Sequence, residues 1–412
     1  MKEIAADILK EIANLPVVDA HEHLASEQQA LGQPADIFTR ILCHYTITNA
    51  IMSGLKNPER GTDVRGWLQD QNVPLDTRWK HFREAYAAIK DTGYVLSARR
   101  SVKELYGFDD ITDDNYKTIS DALQDDNKPG LYDRLLKQKC KVTNVINQGS
   151  WNDGRGGFAS FVSWEFRMQE LDAAQLAGFR ERCRKMFDKD FQDPVELLRA
   201  LLRRRKSEGM VGLKLIGPPS IDTISDEAAL KIFSSTSIKD EEARDFGCWA
   251  GNKCIELAPE YGLVVAVHCG IIWCGGNFTT LDPKGMIPVI EKYNKTTFDL
   301  YHGGIPWVRD IAVMANQYSN IVLNMCWCHQ ISPYMTEHMI NEWIDLVSTN
   351  RIIAFGGDNC FPEKTVGALM LARENIARAL ARRVDDGRMT FDRAIDTARA
   401  WFYQNPKRIY DI

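Results

Sequence analysis

Hydrophobic positions along this chain follow two periods, and the alternation between them predicts the fold. Lys2 to Asn14 places Ile4, Ile8 and Ile12 on one face of an amphipathic helix, which ends ahead of Pro16. A short strand follows in Leu15-Pro16-Val17-Val18-Asp19-Ala20-His21-Glu22-His23-Leu24. From Ala25 to about Gln138 the pattern is mainly helical, rich in aromatics (Trp67, Trp79, Phe82, Tyr86, Tyr94, Tyr106 and Phe108) and broken by Gly and Asp-Asp turns. That is too long for an ordinary strand-to-helix connection, so it reads as an insertion packed over one end of the fold.

Beyond the insertion, short apolar runs alternate with helical stretches. Strands are expected near Val142 to Asn147, Phe158 to Phe166, Val211 to Ile216, Leu263 to His268, Thr297 to His302, Ile321 to Trp327 and Ile352 to Asp358. Helices are expected over Pro194 to Lys206, Asp240 to Tyr261, Met286 to Tyr293, Val308 to Gln317, Glu337 to Ser348 and Lys364 to Val384. Phe391 to Gln404 closes the chain, with Asn405-Pro406 expected to stop it. Strands alternating with crossover helices give an α/β fold with a parallel sheet, and eight strands make it a (β/α)8 TIM barrel with a long helical insertion after strand one. No repeat or low-complexity linker divides the chain, which is read as one domain over residues 1–412 with the insertion at about 25–138.

Bulk composition changes this picture little. Over 412 residues, 44% hydrophobic and 26% charged positions with a net charge of -5 are ordinary globular values and exclude a disordered or collagen-like chain. Nothing calls for nucleic acid. The one basic run, Arg203-Arg204-Arg205-Lys206, follows Leu197, Leu198, Leu201 and Leu202 and reads as the solvated C-terminal end of a helix. No stretch approaches the roughly 20 apolar residues that cross a bilayer, so no membrane is implied. Ten cysteines without a secretory signal suggest reduced thiols in a cytoplasm, and self-association is left open.

The candidate chemistry sits at strand ends. In a strand, residues i and i+2 point to one side, so His21 and His23 can face one point. Two imidazoles are a partial shell for a divalent transition metal, zinc being the first choice. His268 closes strand five, His302 strand six and Asp358 strand eight; in a barrel, side chains at these ends surround one mouth. His21, His23, His268 and Asp358 are the expected metal ligands. An acid that touches the metal and accepts a proton makes Asp358 the candidate general base. Asp19 either braces a ligand imidazole from behind or itself ligates. Arg167, after strand three, suits a substrate carboxylate or a surface acid; Lys214, on strand four, a substrate or a structural ion pair; and Trp327 a substrate ring or plain packing. Cys269, Cys274, Cys326, Cys328 and Cys360 read as small buried thiols, and His44, His81, His329 and His338 as surface or packing residues by default, with His44 and His81, in the insertion, able to reach the pocket.

The motifs Val18-Asp19-Ala20-His21-Glu22-His23-Leu24, Val267-His268-Cys269-Gly270, Tyr301-His302-Gly303-Gly304 and Gly356-Gly357-Asp358-Asn359 together resemble the amidohydrolase superfamily over nearly the whole chain. The insertion, with Trp67, Trp79 and Val102 to Asp110, and Trp327 resemble its uronate isomerase branch. That branch typically follows its strand-eight Asp with Ser-Arg, where this chain has Asn359-Cys360. The resemblance implies that His302 polarises the reacting group, and that Lys214, as in some members, could be a carboxylated metal bridge. The expected activity is hydrolysis of a small polar or carboxylated metabolite by a metal-activated water. A uronate-type aldose-ketose isomerase and a non-oxidative decarboxylase are the alternatives, and a barrel that binds without turnover is the non-enzymatic rival.

Overall fold

The structure, a computed structural model, describes residues 1–58, 63–148, 159–163, 171–272 and 276–412. Eight strands form one sheet in sequence order: β1 (Val17–Glu22), β2 (Val142–Gln148), β3 (Ala159–Ser163), β4 (Met210–Ile216), β5 (Val264–His268), β6 (Phe298–Leu300), β7 (Ile321–Asn324) and β8 (Ile352–Ile353). Pairings from β3 through β7 are parallel, with Lys214, Ala266, Asp299 and Val322 level across four neighbours. With helices such as Pro194–Ser207, Asp240–Leu257, Val308–Gln317 and Pro333–Leu346 as crossovers, this is the (β/α)8 barrel that the alternation predicts. β5 shows why: Val264 to Val267 are all buried, as a strand covered on both faces requires, and only His268 at its end is partly open.

Three late strands stop earlier than their apolar runs. β6 ends at Leu300, β7 at Asn324, and β8 holds only Ile352–Ile353. His302, Trp327 and Asp358, each expected to finish a strand, instead carry positive φ of 60°, 65° and 54°. A buried run looks alike whether or not it stays in a ladder, and left-handed residues end the pairing. The chain's end departs too: the helix Phe391–Arg399 runs on through Ala400–Gln404 into Asn405–Tyr410. Pro406 is the second residue of that last segment, in a first helical turn where its missing N–H costs nothing.

The backbone divides into two compact units. The first comprises Met1–Val145, Ile272–Asn277 and Met325–Asn405, and so carries β1, β8 and the insertion. Within it, Ile37, Phe38, Ile41, Val64, Leu68, Phe82, Val95 and Ile119 belong to an apolar core built by the insertion's own helices. Helix Gly93–Tyr106 lies directly against helix Pro362–Asp385, where a Cβ on Gly367 would meet the Ser97 carbonyl at 2.1 Å. The second unit comprises Ile146–Ile271, Phe278–Asn324 and Pro406–Ile412, and carries β3 to β7. Among the described residues no helix is long and apolar enough to cross a membrane, and the described cysteines are free thiols.

Candidate metal centre

β1 presents His21 buried and His23, one residue beyond its end, about one-third exposed. The chain after β8 runs alongside it. Ala20 N–H donates to the Phe355 carbonyl at 3.0 Å, Asp358 N–H to the His21 carbonyl at 2.8 Å, and His23 N–H to the Asn359 carbonyl at 3.0 Å. Residues more than 330 positions apart are thereby stitched together by main-chain bonds. The approach is close enough to require glycine, since a Cβ on Gly356 would lie 2.9 Å from the His21 backbone nitrogen.

This stitching sets one oxygen of Asp358, Oδ1, 3.2 Å from His21 Nε2 and 3.2 Å from His23 Nε2. Burial would raise the Asp358 carboxyl, but the charges and hydrogen bonds of His21 and His23 outweigh it and hold it well below the ordinary carboxylate range. Two imidazole nitrogens and a carboxylate oxygen are the donor types that zinc and its neighbours take. Ligands about 2.0–2.2 Å from one ion, spread at tetrahedral or octahedral angles, lie roughly 3.0–3.5 Å apart, and the distance from Asp358 Oδ1 to each imidazole falls in that range. Asp19 does not act as expected on a ring: its Oδ1 accepts the backbone N–H of His21 at 3.3 Å and of Gly357 at 3.2 Å. Burial pushes its carboxyl up to about 7, and burial with the Asp19 charge raises Glu22 as well.

The second unit holds a pair of its own. His268 Nε2 lies 2.9 Å from the Ile271 carbonyl, so that nitrogen carries the proton; its Nδ1 then accepts from His302 Nε2, also at 2.9 Å. Both ring nitrogens of His268 are engaged inside this unit, and His302 is fully buried. Lys214 is buried with its ammonium 3.7 Å from the centre of the Tyr301 ring. Its charge also acts on Asp299, whose carboxyl burial pushes up to about 6 against hydrogen bonds from Tyr410 and Asn324. Arg167 lies outside the described residues, as do Trp273 and Cys274.

The insertion brings Tyr45, which the sequence does not single out, beside His44, which it lets reach the pocket. Trp327 is buried and packs on Tyr45 and Tyr94, with ring centres 4.5 and 6.1 Å apart. Burial, together with the Asp358 charge, raises the Tyr45 phenol well above the ordinary value. His44, held at φ 60° and ψ -113°, feels the charges of Asp358 and His23; burial, with Lys364 nearby, pushes it down to about 3. Lys364 donates to the Cys43 carbonyl at 2.9 Å. The adjacency His44-Tyr45 was the one signal available, and it is too common to single out.

Comparison with known proteins decides the family. The amidohydrolase family model matches residues 153–412, well over half of the chain. The chain belongs to the amidohydrolase family. A uronate isomerase from Mesorhizobium japonicum is 22% identical across the whole chain and 96% of that relative. Among family structures, a glucuronate isomerase from Caulobacter crescentus superposes with a TM-score of 0.77 at 15% identity, over 100% of this chain and 94% of that one. A uronate isomerase from Thermotoga maritima gives 0.76 at 14%, over 99% and 97%. The family supplies the barrel and an enzyme's metal-dependent architecture.

Proposed function

We propose that this chain is a metal-dependent aldose-ketose isomerase acting on a uronate, which places the alternative reading of the sequence ahead of hydrolysis. The observation that carries it is the end-to-end alignment of the chain with a uronate isomerase, joined by Tyr45, which the helical insertion packs on Trp327 and whose phenol feels the Asp358 charge. Isomerisation needs a base and an acid beside two adjacent carbons; it needs no water as nucleophile. Asp358, ionised across the neutral range, takes the proton from C2 of the open-chain aldose and returns it to C1. Tyr45, protonated across that range, hands a proton to one sugar oxygen while the other oxygen gives one up.

His21, His23 and Asp358 would hold the divalent cation, zinc being the first choice. Bound there, it would polarise the substrate's neighbouring oxygens. His302 orients the reacting carbonyl, and Arg167 and Lys214 are the cations offered to the substrate carboxylate. Trp327 acts through the aromatic wall it forms with Tyr45.

The test is to incubate the metal-loaded protein with hexuronates in deuterated water. A ketose of unchanged skeleton supports isomerisation, with deuterium at C1 only in so far as the proton held by Asp358 exchanges with solvent before its return; turnover only of lactones or amides, with solvent oxygen in the product, overturns it. Hydrolysis stays as the second reading because Asn359-Cys360 follows Asp358 where the isomerase branch has a cation.

A further inference from the structure

Asp358 occupies a backbone conformation that residues with side chains seldom adopt, and β8 ends five residues earlier, so strand pairing does not place it. What grips the turn is carboxylate. On one side of Asp358, Gly357 N–H donates to Asp19 Oδ1 at 3.2 Å; on the other, Asn359 N–H donates to Glu22 Oε2 at 2.5 Å. The remaining Glu22 oxygen accepts the Thr365 hydroxyl at 2.7 Å, from the first turn of helix Pro362–Asp385. Glu22 and Asp19 are both fully buried. A Cβ on Gly357 would stand 2.0 Å from Glu22 Oε1, so the glycine is the space in which the clamp closes. By strand alternation Glu22 points away from the side that His21 and His23 share, which removes it from the ligand set.

We propose that Glu22 is a positioning residue: with Thr365 and Asp19 it clamps the 357–359 turn and so fixes where the Asp358 carboxylate meets His21 and His23. The consequence for catalysis rests on the metal-dependent reading above; the clamp itself does not. Glu22 ties three pieces, β1, the turn after β8 and the following helix, at a single carboxylate, so loosening it frees Asp358 while leaving both histidines on their strand.

The test compares Glu22→Ala, Glu22→Gln and Thr365→Val in the full chain. Readouts are hydrogen exchange of the peptide spanning the turn, zinc affinity by chelator competition, and kcat against KM on any substrate turned over. Thr365→Val is expected to speed exchange at the turn several-fold and weaken zinc about fivefold. Glu22→Ala is expected to weaken zinc about 10–100-fold, the range for groups that orient ligands from behind, and to lower kcat with KM little changed. Glu22→Gln keeps an oxygen for Asn359 and should recover most of the loss. If Glu22→Ala does not fold, exchange and zinc affinity of Thr365→Val decide. Exchange at the turn unchanged in Thr365→Val, or zinc affinity unchanged in folded variants that only melt earlier, overturns the proposal. A wild-type chain that binds no zinc, with exchange at the turn still responding to Thr365→Val, would overturn the metal reading and leave the clamp standing.

Discussion

His21 and His23 are placed by the period of a strand, whereas Asp358, 3.2 Å away from both, is placed by a left-handed turn that side chains hold from behind. The two devices fail differently. A strand residue keeps its direction as long as the ladder stands, because every second side chain points the same way. The turn depends on particular partners: two glycines that leave room, two buried acids that take its N–H groups, and Gln330, whose Nε2 donates to the Gly357 carbonyl at 2.6 Å. Changes on the turn side should therefore cost more function for less volume than changes in the strand.

The largest effect is expected at the carboxylate itself. Asp358→Asn keeps the shape of the turn and removes the base, and kcat should fall about 10³-fold, the middle of the range for a positioned acid or base. Steady-state kinetics on folded, zinc-loaded protein reads it. Next is Gly356→Ala, which drives a methyl to 2.6 Å from Cys326 Cβ and 2.9 Å from the His21 backbone, neither of which can swing aside. A loss of about 3 kcal/mol is expected from chemical denaturation. Gly387→Ala is the contrast: its φ, unlike that of Gly356, is positive, at 69°, with nothing within 4 Å, so only the backbone conformation is tested and about 1 kcal/mol should be lost.

A smaller effect separates the aromatic wall from the chemistry. Tyr45→Phe removes the hydroxyl proposed as the acid and should lower kcat about 30-fold, near the low end for acid-base assistance, whereas Tyr94→Phe, given no such role, should stay within about threefold.

The smallest is a pH effect on the turn side. His329 Nε2 donates to the Ala354 carbonyl at 2.9 Å, just after β8, while Asn375 donates to its Nδ1 at 3.2 Å, so the buried ring is neutral. Burial pushes it down to about 4 from an ordinary 6.5. Between those values the unfolded chain binds the extra proton, so stability falls as pH drops below about 6.5 and the contribution is lost in full only below about 4. At pH 6 the loss is roughly 0.8 kcal/mol. Gln at this position can still donate to Ala354, so His329→Gln should flatten that part of the acid limb in denaturation midpoints.

The same contrast explains what could be read from the sequence. β1, β5 and helix Val308–Gln317 were legible because strand alternation, buried β-branched runs and helical periodicity are written in local residue order. The convergence of His21 with Asp358 followed from barrel topology once the strands were counted. The turned ends were not legible: Phe355-Gly356-Gly357-Asp358 is apolar and buried like a strand, and only the acids behind it reveal that it has left the ladder. Tyr45 was missed for a related reason, since a residue placed by a tertiary fold of an insertion carries no periodic mark. Lys214 lay on the predicted strand, yet its ammonium rests on Tyr301, a pairing that no spacing encodes.

The central claim is that His21, His23 and Asp358 grip one divalent cation, and metal analysis of the purified chain tests it most directly. The account predicts about one ion per chain, falling to near zero in His21→Ala and Asp358→Ala that remain folded. Occupancy below about one-fifth in the wild type after reloading with zinc, or full occupancy in both variants, would contradict it.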